Sequence, residues 1–149
     1  MKRFRSCESG QALVEFALFM PLFLIILVGA VDVSFFLVEV MATQEAATEG
    51  ADYGAAPGNQ NDVSGMEQWA AYAASYGVTL SGTPAATTFY TCTPGGAHVS
   101  ASTSCSSGFG PMEYVQVTAS TTLNPILASR ALRSQSYTAT VTYRVAWQQ

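Results

Sequence analysis

The stretch Gln11-Ala12-Leu13-Val14-Glu15-Phe16-Ala17-Leu18-Phe19-Met20-Pro21-Leu22-Phe23-Leu24-Ile25-Ile26-Leu27-Val28-Gly29-Ala30-Val31 carries one charge, Glu15, and none from Phe16 to Val31. Its length is close to the ~20 residues that an α-helix needs to cross ~30 Å of hydrocarbon. A membrane-spanning helix follows, with Phe16, Leu18, Pro21, Leu24, Leu27 and Val31 among the residues that hold it in lipid. Glu15 runs against this solvent. An acid costs about 2.5–3.5 kcal/mol at the centre of a bilayer and less toward the interface. Either it reaches headgroups or water, or it has a task that offsets the cost. Pro21 lacks an N–H and its ring crowds the preceding turn, so a kink or loosened turn is predicted there, which membrane helices tolerate.

Charge gives the segment a direction. Lys2, Arg3 and Arg5 precede it and the next basic residue is Arg130, so a formal net charge of -4 conceals a basic head and an acidic remainder. Positive charge stays on the cytoplasmic side of a membrane segment, which puts the N-terminus inside and everything after Val31 outside. An acidic exterior is a poor partner for phosphate backbones, and Arg130, Arg133 and Arg144 are too few to reverse that, so nucleic acid is set aside as a partner. With 149 residues, and the lipid-facing ones subtracted, there is room for one modest domain and not for a large enzyme core.

The helix is expected to continue past the membrane. Val33, Phe36, Leu37, Val40, Gln44, Ala47 and Ala51 recur at spacings of three and four, and Asp32, Glu39, Glu45, Glu49 and Asp52 fall mostly off that stripe. Such a stripe predicts one helix, half in lipid and half docked on a domain. Gly54 is placed to cap it and Pro57 to stop it. A Pro, Gly and Asn-rich loop over 55–64 leads to a short second helix with Met66, Trp69, Ala70, Ala73 and Tyr76 as its apolar face, ended by Gly77. Strands are predicted at Thr87–Thr93, Tyr114–Thr122 and Tyr137–Trp147, with Val115 and Val117 sharing a face of their strand and Val141, Tyr143 and Val145 sharing a face of theirs. The polar stretch from Pro94 to Gly110 reads as an exposed loop. The expected fold class is α+β: a long, partly transmembrane N-terminal α-helix against a small antiparallel β-sheet domain. Its divisions are 1–10, 11–54 and 55–149.

Cys92 and Cys105 bracket the polar loop. A disulfide there closes a loop of about 14 residues, worth roughly 3 kcal/mol in the chain-entropy model, while Cys7 stays in a reducing compartment. No metal or other cofactor is expected, because His98 is the only histidine and a tetrahedral zinc site with those two cysteines falls one ligand short. No catalytic residues are assigned. A Ser-His-Asp arrangement must use His98, with no Gly-x-Ser-x-Gly turn near it. Carboxylate pairs chosen from Asp62, Glu67 and Glu113 are available in any acidic domain.

The N-terminal string Glu8-Ser9-Gly10-Gln11-Ala12-Leu13-Val14-Glu15-Phe16 resembles the prepilin leader of type IV pilin-like proteins. The likeness extends through Ala17-Leu18, Pro21-Leu22, Asp32 and Glu45-Ala46-Ala47-Thr48-Glu49-Gly50-Ala51, where the chain looks like the TadE family of pseudopilins that accompany the Flp, or tight-adherence, pilus machinery. It departs from that pattern at Thr48, where the family usually carries a basic residue.

The resemblance implies that a membrane aspartyl protease, the prepilin peptidase, cuts after Gly10. Residues 1–10 are then a leader, Gln11 the new N-terminus and Glu15 the acid at the fifth mature position, where it aligns subunits by meeting a neighbour's amine. It further implies a minor, non-enzymatic structural subunit in the cytoplasmic (inner) membrane, its C-terminal domain extracytoplasmic. Its partners are other pilins or pseudopilins, the inner-membrane assembly platform and the lipid bilayer. Two other readings stay open: signal peptidase acting after Val28-Gly29-Ala30 to release a soluble domain, and an uncleaved, membrane-anchored binding module.

Overall fold

The computed structural model of the chain describes residues 8–106, 108–123 and 134–145. Lys2, Arg3, Arg5, Cys7, Arg130, Arg133 and Trp147 lie outside those residues. Helix α1 spans Glu8–Ala55, 48 residues, or about 70 Å at the α-helical rise. It continues through Pro21. Apolar side chains ring its first half rather than forming a stripe, as expected where the surroundings are uniformly apolar. Large apolar residues from Leu13 to Met41 are exposed all round, and α1 is long and apolar enough to cross a membrane.

Docking on the domain begins later than the sequence stripe predicts. Val33, Phe36 and Leu37 are exposed, and the buried positions of α1 are Thr43, Ala46, Ala47, Gly50, Ala51 and Gly54. Small side chains make this possible, because they let a second backbone approach closely. Helix α2, Val63–Ala74, runs antiparallel to α1: its Met66 lies beside Gly54 and Gly50, and Gly77 just after it lies beside Ala42. A Cβ on Gly50 would meet the Met66 carbonyl at 2.8 Å and Ala70 Cβ at 2.9 Å, and one on Gly54 would meet Met66 Sδ at 2.5 Å. Gly54 is therefore a packing residue inside the helix, not its cap as the sequence suggested. The chain turns afterwards, at Gly58, whose φ is +93°. The face of α2 is also corrected. Met66, Ala70 and Ala74 are buried, whereas Trp69 and Tyr76 are 46% and 75% exposed.

Four strands complete the domain: β1 (Ala85–Thr91), β2 (His98–Val99), β3 (Met112–Leu123) and β4 (Gln135–Arg144), all pairs antiparallel in the order β2-β1-β3-β4. The architecture is α+β, as predicted. Alternation along β3 turns Val115, Val117 and Ala119 inward, where they meet Ala139, Val141 and Val145 of the β4 segment and the small residues of α1 and α2 in one core. The outer face is hydroxyl-rich, with cross-strand contacts Thr118–Thr140 at 3.2 Å and Ser120–Thr138 at 3.0 Å. The predicted loop from Pro94 to Gly110 is corrected in part: β2 lies within it, paired through Tyr90–Val99 and Thr91–His98. Backbone groups exposed at the β1 edge recruit those two residues although their neighbours are polar.

Candidate functional site

At the start of α1, Gly10 and Gln11 lie in helical turns and every side chain from Gln11 to Leu18 is exposed. The Gln11 side-chain amide donates to Glu15 Oε1 at 3.3 Å. That contact measures what the helix geometry allows: a group on residue 11 reaches the carboxylate four residues on. Phe16, Leu18, Leu24, Leu27 and Val31 follow as exposed apolar surface, with Pro21 among them.

The acids singled out from the sequence each accept from their own donors. Asp62 is the N-cap of α2: its carboxylate accepts from Gly65 N and Ser64 Oγ, both at 2.9 Å, and from the Tyr53 hydroxyl at 2.8 Å. The Gly65 N–H, then Tyr53 and Ser64, hold this carboxyl below its ordinary range, and the Asp62 bond pushes the Tyr53 phenol up. Glu67 accepts from Ala86 N at 3.3 Å, tying α2 to β1. Glu113, 3% exposed, accepts from the Tyr90 hydroxyl at 2.9 Å, and that bond, with burial, raises the Tyr90 phenol. These carboxylates brace the domain.

Cys92 and Cys105 are joined in a disulfide with Cα atoms 5.4 Å apart, closing the segment that contains β2. His98 stacks on Phe89 at 4.2 Å between centroids, and Phe89 stacks in turn on Tyr114 at 5.5 Å. Its ring is thus part of an aromatic stack on the outer face of the sheet. Among the described residues, no three His, Cys, Asp or Glu side chains converge as a metal site would require.

One feature escaped the sequence reading. Tyr53, Trp69, Tyr72 and Tyr76 form a ladder along the exposed side of the α1–α2 pair, with centroids 5.9, 6.0 and 5.2 Å apart. The Tyr76 hydroxyl donates to that of Tyr72, which pushes the Tyr76 phenol up. The signal was present in the spacing 69, 72, 76, but aromatic residues at three and four read equally well as core.

Compared with known proteins, residues 10–52 match a family model described as TadE-like protein. No curated protein and no solved structure matches the chain. The matched segment begins at Gly10 and ends within the docked part of α1, so it covers the exposed apolar helix and the small-residue face and none of the sheet.

Proposed function

We propose, from the TadE-like segment at its N-terminal end, that this chain is a minor pilin-like structural subunit for assembly of a Flp, or tight-adherence, pilus. The segment itself is of a kind associated with Tad pilus systems. In this reading α1 anchors the protein in the inner membrane, N-terminus inside, and carries the α+β domain on the outer side. Prepilin peptidase cuts after Gly10, and Glu15 aligns the subunit with its neighbours. The single observation that carries the reading is that the match runs along α1 from Gly10, the residue at which the leader would end.

The energetics favour a task for Glu15. Cleavage would remove the basic leader and create an amine at Gln11, four residues from the carboxylate. The Gln11–Glu15 contact supports the idea that groups at these positions can meet. An amine and a carboxylate at 4 Å attract by about 4 kcal/mol at an effective dielectric of ~20. That exceeds the cost of holding the acid toward the rim of the hydrocarbon, which is less than the about 2.5–3.5 kcal/mol that applies at mid-bilayer depth. An amine supplied by a neighbouring helix therefore offsets burial and fixes axial stagger at once. Other pilins or pseudopilins, the assembly platform and the peptidase are the partners this requires.

The test is the N-terminus of the mature protein in its native cell, with and without a prepilin peptidase. A start at Gln11 is expected only when the peptidase is present. A start at Val31 would point to signal peptidase instead, and an intact leader in normally piliated cells would leave a membrane-anchored binding module. Glu15→Ala is expected to abolish co-assembly and reduce pilus number severalfold. Unchanged pili would remove Glu15 from this role.

A further inference from the structure

An open groove of about 490 Å3 lies between α1 and α2, walled by Val38, Met41 and Ala42 on one side and by Trp69, Tyr72 and Tyr76 on the other. Glu45 and Glu49 form its upper part. The groove continues a seam that begins far below it. Leu24, Val28, Val31, Phe35, Val38, Ala42, Glu45 and Glu49 follow one another at alternating steps of four and three. This 3.5-residue repeat is the one by which two helices keep a common face along a left-handed supercoil. Leu24, Val28, Val31, Phe35 and Val38 are all exposed. The seam is therefore apolar through the lipid-length part, flanked by aromatic rings where α2 joins, and acidic at its end.

The charges select the occupant. Glu45 and Glu49 are exposed, stand one turn apart, and form no ion pair among the described residues. Two like charges at this spacing are mildly destabilising in an isolated helix. A second copy of this chain, laid in parallel and in register on the seam, would set Glu45 and Glu49 against the same acids, and since residues 8–55 hold no Lys or Arg, no axial stagger of a second α1 brings a basic side chain to them, which disfavours self-pairing. A helix with Lys or Arg at that level meets both carboxylates, and its cationic stems lie against Trp69 and Tyr72, which favour cations over their ring faces. We infer that this seam and groove receive an apolar helix of a different membrane-anchored subunit, running parallel to α1 and bearing a basic residue beside Glu45 and Glu49. The inference rests on the proposed membrane placement of α1 and adds the surface and the charge of the partner.

Site-specific photocrosslinking of the full chain in its native cell tests it, with p-benzoylphenylalanine replacing Tyr72 in the groove or Thr140 on the outer sheet face. The expected result is a heterotypic adduct from position 72 and not from 140. Mass spectrometry of the crosslinked peptide should place a Lys or Arg within four residues of the link in an apolar helical sequence. The doubly substituted E45K/E49K chain should lose the adduct about tenfold and E45Q/E49Q should lose part of it, while both retain the Cys92–Cys105 disulfide and melt no lower than the wild-type chain. An adduct with a second copy, with residues 124–133 of the same chain, with lipid or with an acidic segment overturns the proposal. So does no adduct, or one indifferent to E45K/E49K. Leader processing, read from the same cells, fails or holds separately and identifies which idea is at fault.

Discussion

At the N-terminus of α2 the Asp62 carboxylate accepts from a backbone N–H, a serine hydroxyl and the Tyr53 phenol, so one side chain joins the end of α1 to the start of α2. Its folded value lies below the ordinary 3.8. A carboxyl of this sort lends its stability above the unfolded value and loses it as pH falls through the folded one. Tyr53 is the opposite case: its phenol is raised above 10.0, so its contribution is complete below pH 10 and is lost as pH climbs through the raised value. Asp62→Ala should lower the melting temperature at neutral pH by leaving the Gly65 N–H uncapped, and the gap to the wild-type chain should narrow as pH falls below the lowered value. Asp62→Asn keeps an acceptor without the charge and should fall between the two. A gap that stays constant from pH 7 to pH 2 would show that the carboxylate is not the cause. The sequence offered Asp62 as one of three interchangeable acids. Only the turn that aims the Gly65 N–H at it reveals the cap.

At the scale of elements, the α1–α2 contact depends on two glycines that helix propensity alone would disfavour. Ala for Gly gains about 1 kcal/mol in an open helix interior, and Gly29, with nothing near its missing Cβ, should accept it without loss. Gly50→Ala should instead destabilise by about 1–3 kcal/mol, because its methyl meets the Met66 backbone carbonyl, which cannot swing aside. Gly54→Ala should cost less, since the obstacle there is the Met66 side chain, buried but flexible. Thermal denaturation of the three variants checks the order, and equal loss at 50 and 29 would refute the close-packing account. The same elements mark what could be read in advance. Period-two alternation exposed β3 and β4, and cysteine spacing exposed the clasp around the polar segment. The two-residue strand β2 carries too little pattern to be seen. The onset of docking on α1 was misplaced because the first part of the helix is apolar on every side, so Val33, Phe36 and Leu37 resemble a buried stripe. Gly10, Gln11 and Glu15 stand out in the sequence as a local string, and their proposed roles rest on that string, whereas the groove exists only once α2 folds back along α1.

On the proposed membrane placement of α1, the question for the whole molecule is how far the domain stands from the lipid. The exposed apolar stretch of α1 runs from Leu13 to Met41, about 40 Å at 1.5 Å per residue, against a hydrocarbon thickness of about 30 Å. Lipid cannot cover all of it without tilt. In that placement Glu15 draws one rim toward the N-terminal end, while Asp32, Ser34 and Glu39 mark where polar groups re-enter, so the deepest point falls near Leu24. The residues from Val33 to Met41 then rise out of the hydrocarbon as an apolar collar beneath the domain, and apolar surface left in water is costly, roughly 25 cal/mol per Å2. Covering such a collar with another surface recovers that cost. Nitroxides placed singly at Leu24, Val31, Phe36 and Met41 in bilayers of the isolated protein should report oxygen-rich lipid at 24, the interface near 31, and water-borne relaxants at 36 and 41. In assembled complexes the last two should become inaccessible to both. Oxygen-rich, water-poor surroundings at 36 and 41 in the isolated protein would mean that the domain sits directly on the membrane and that no collar awaits a partner.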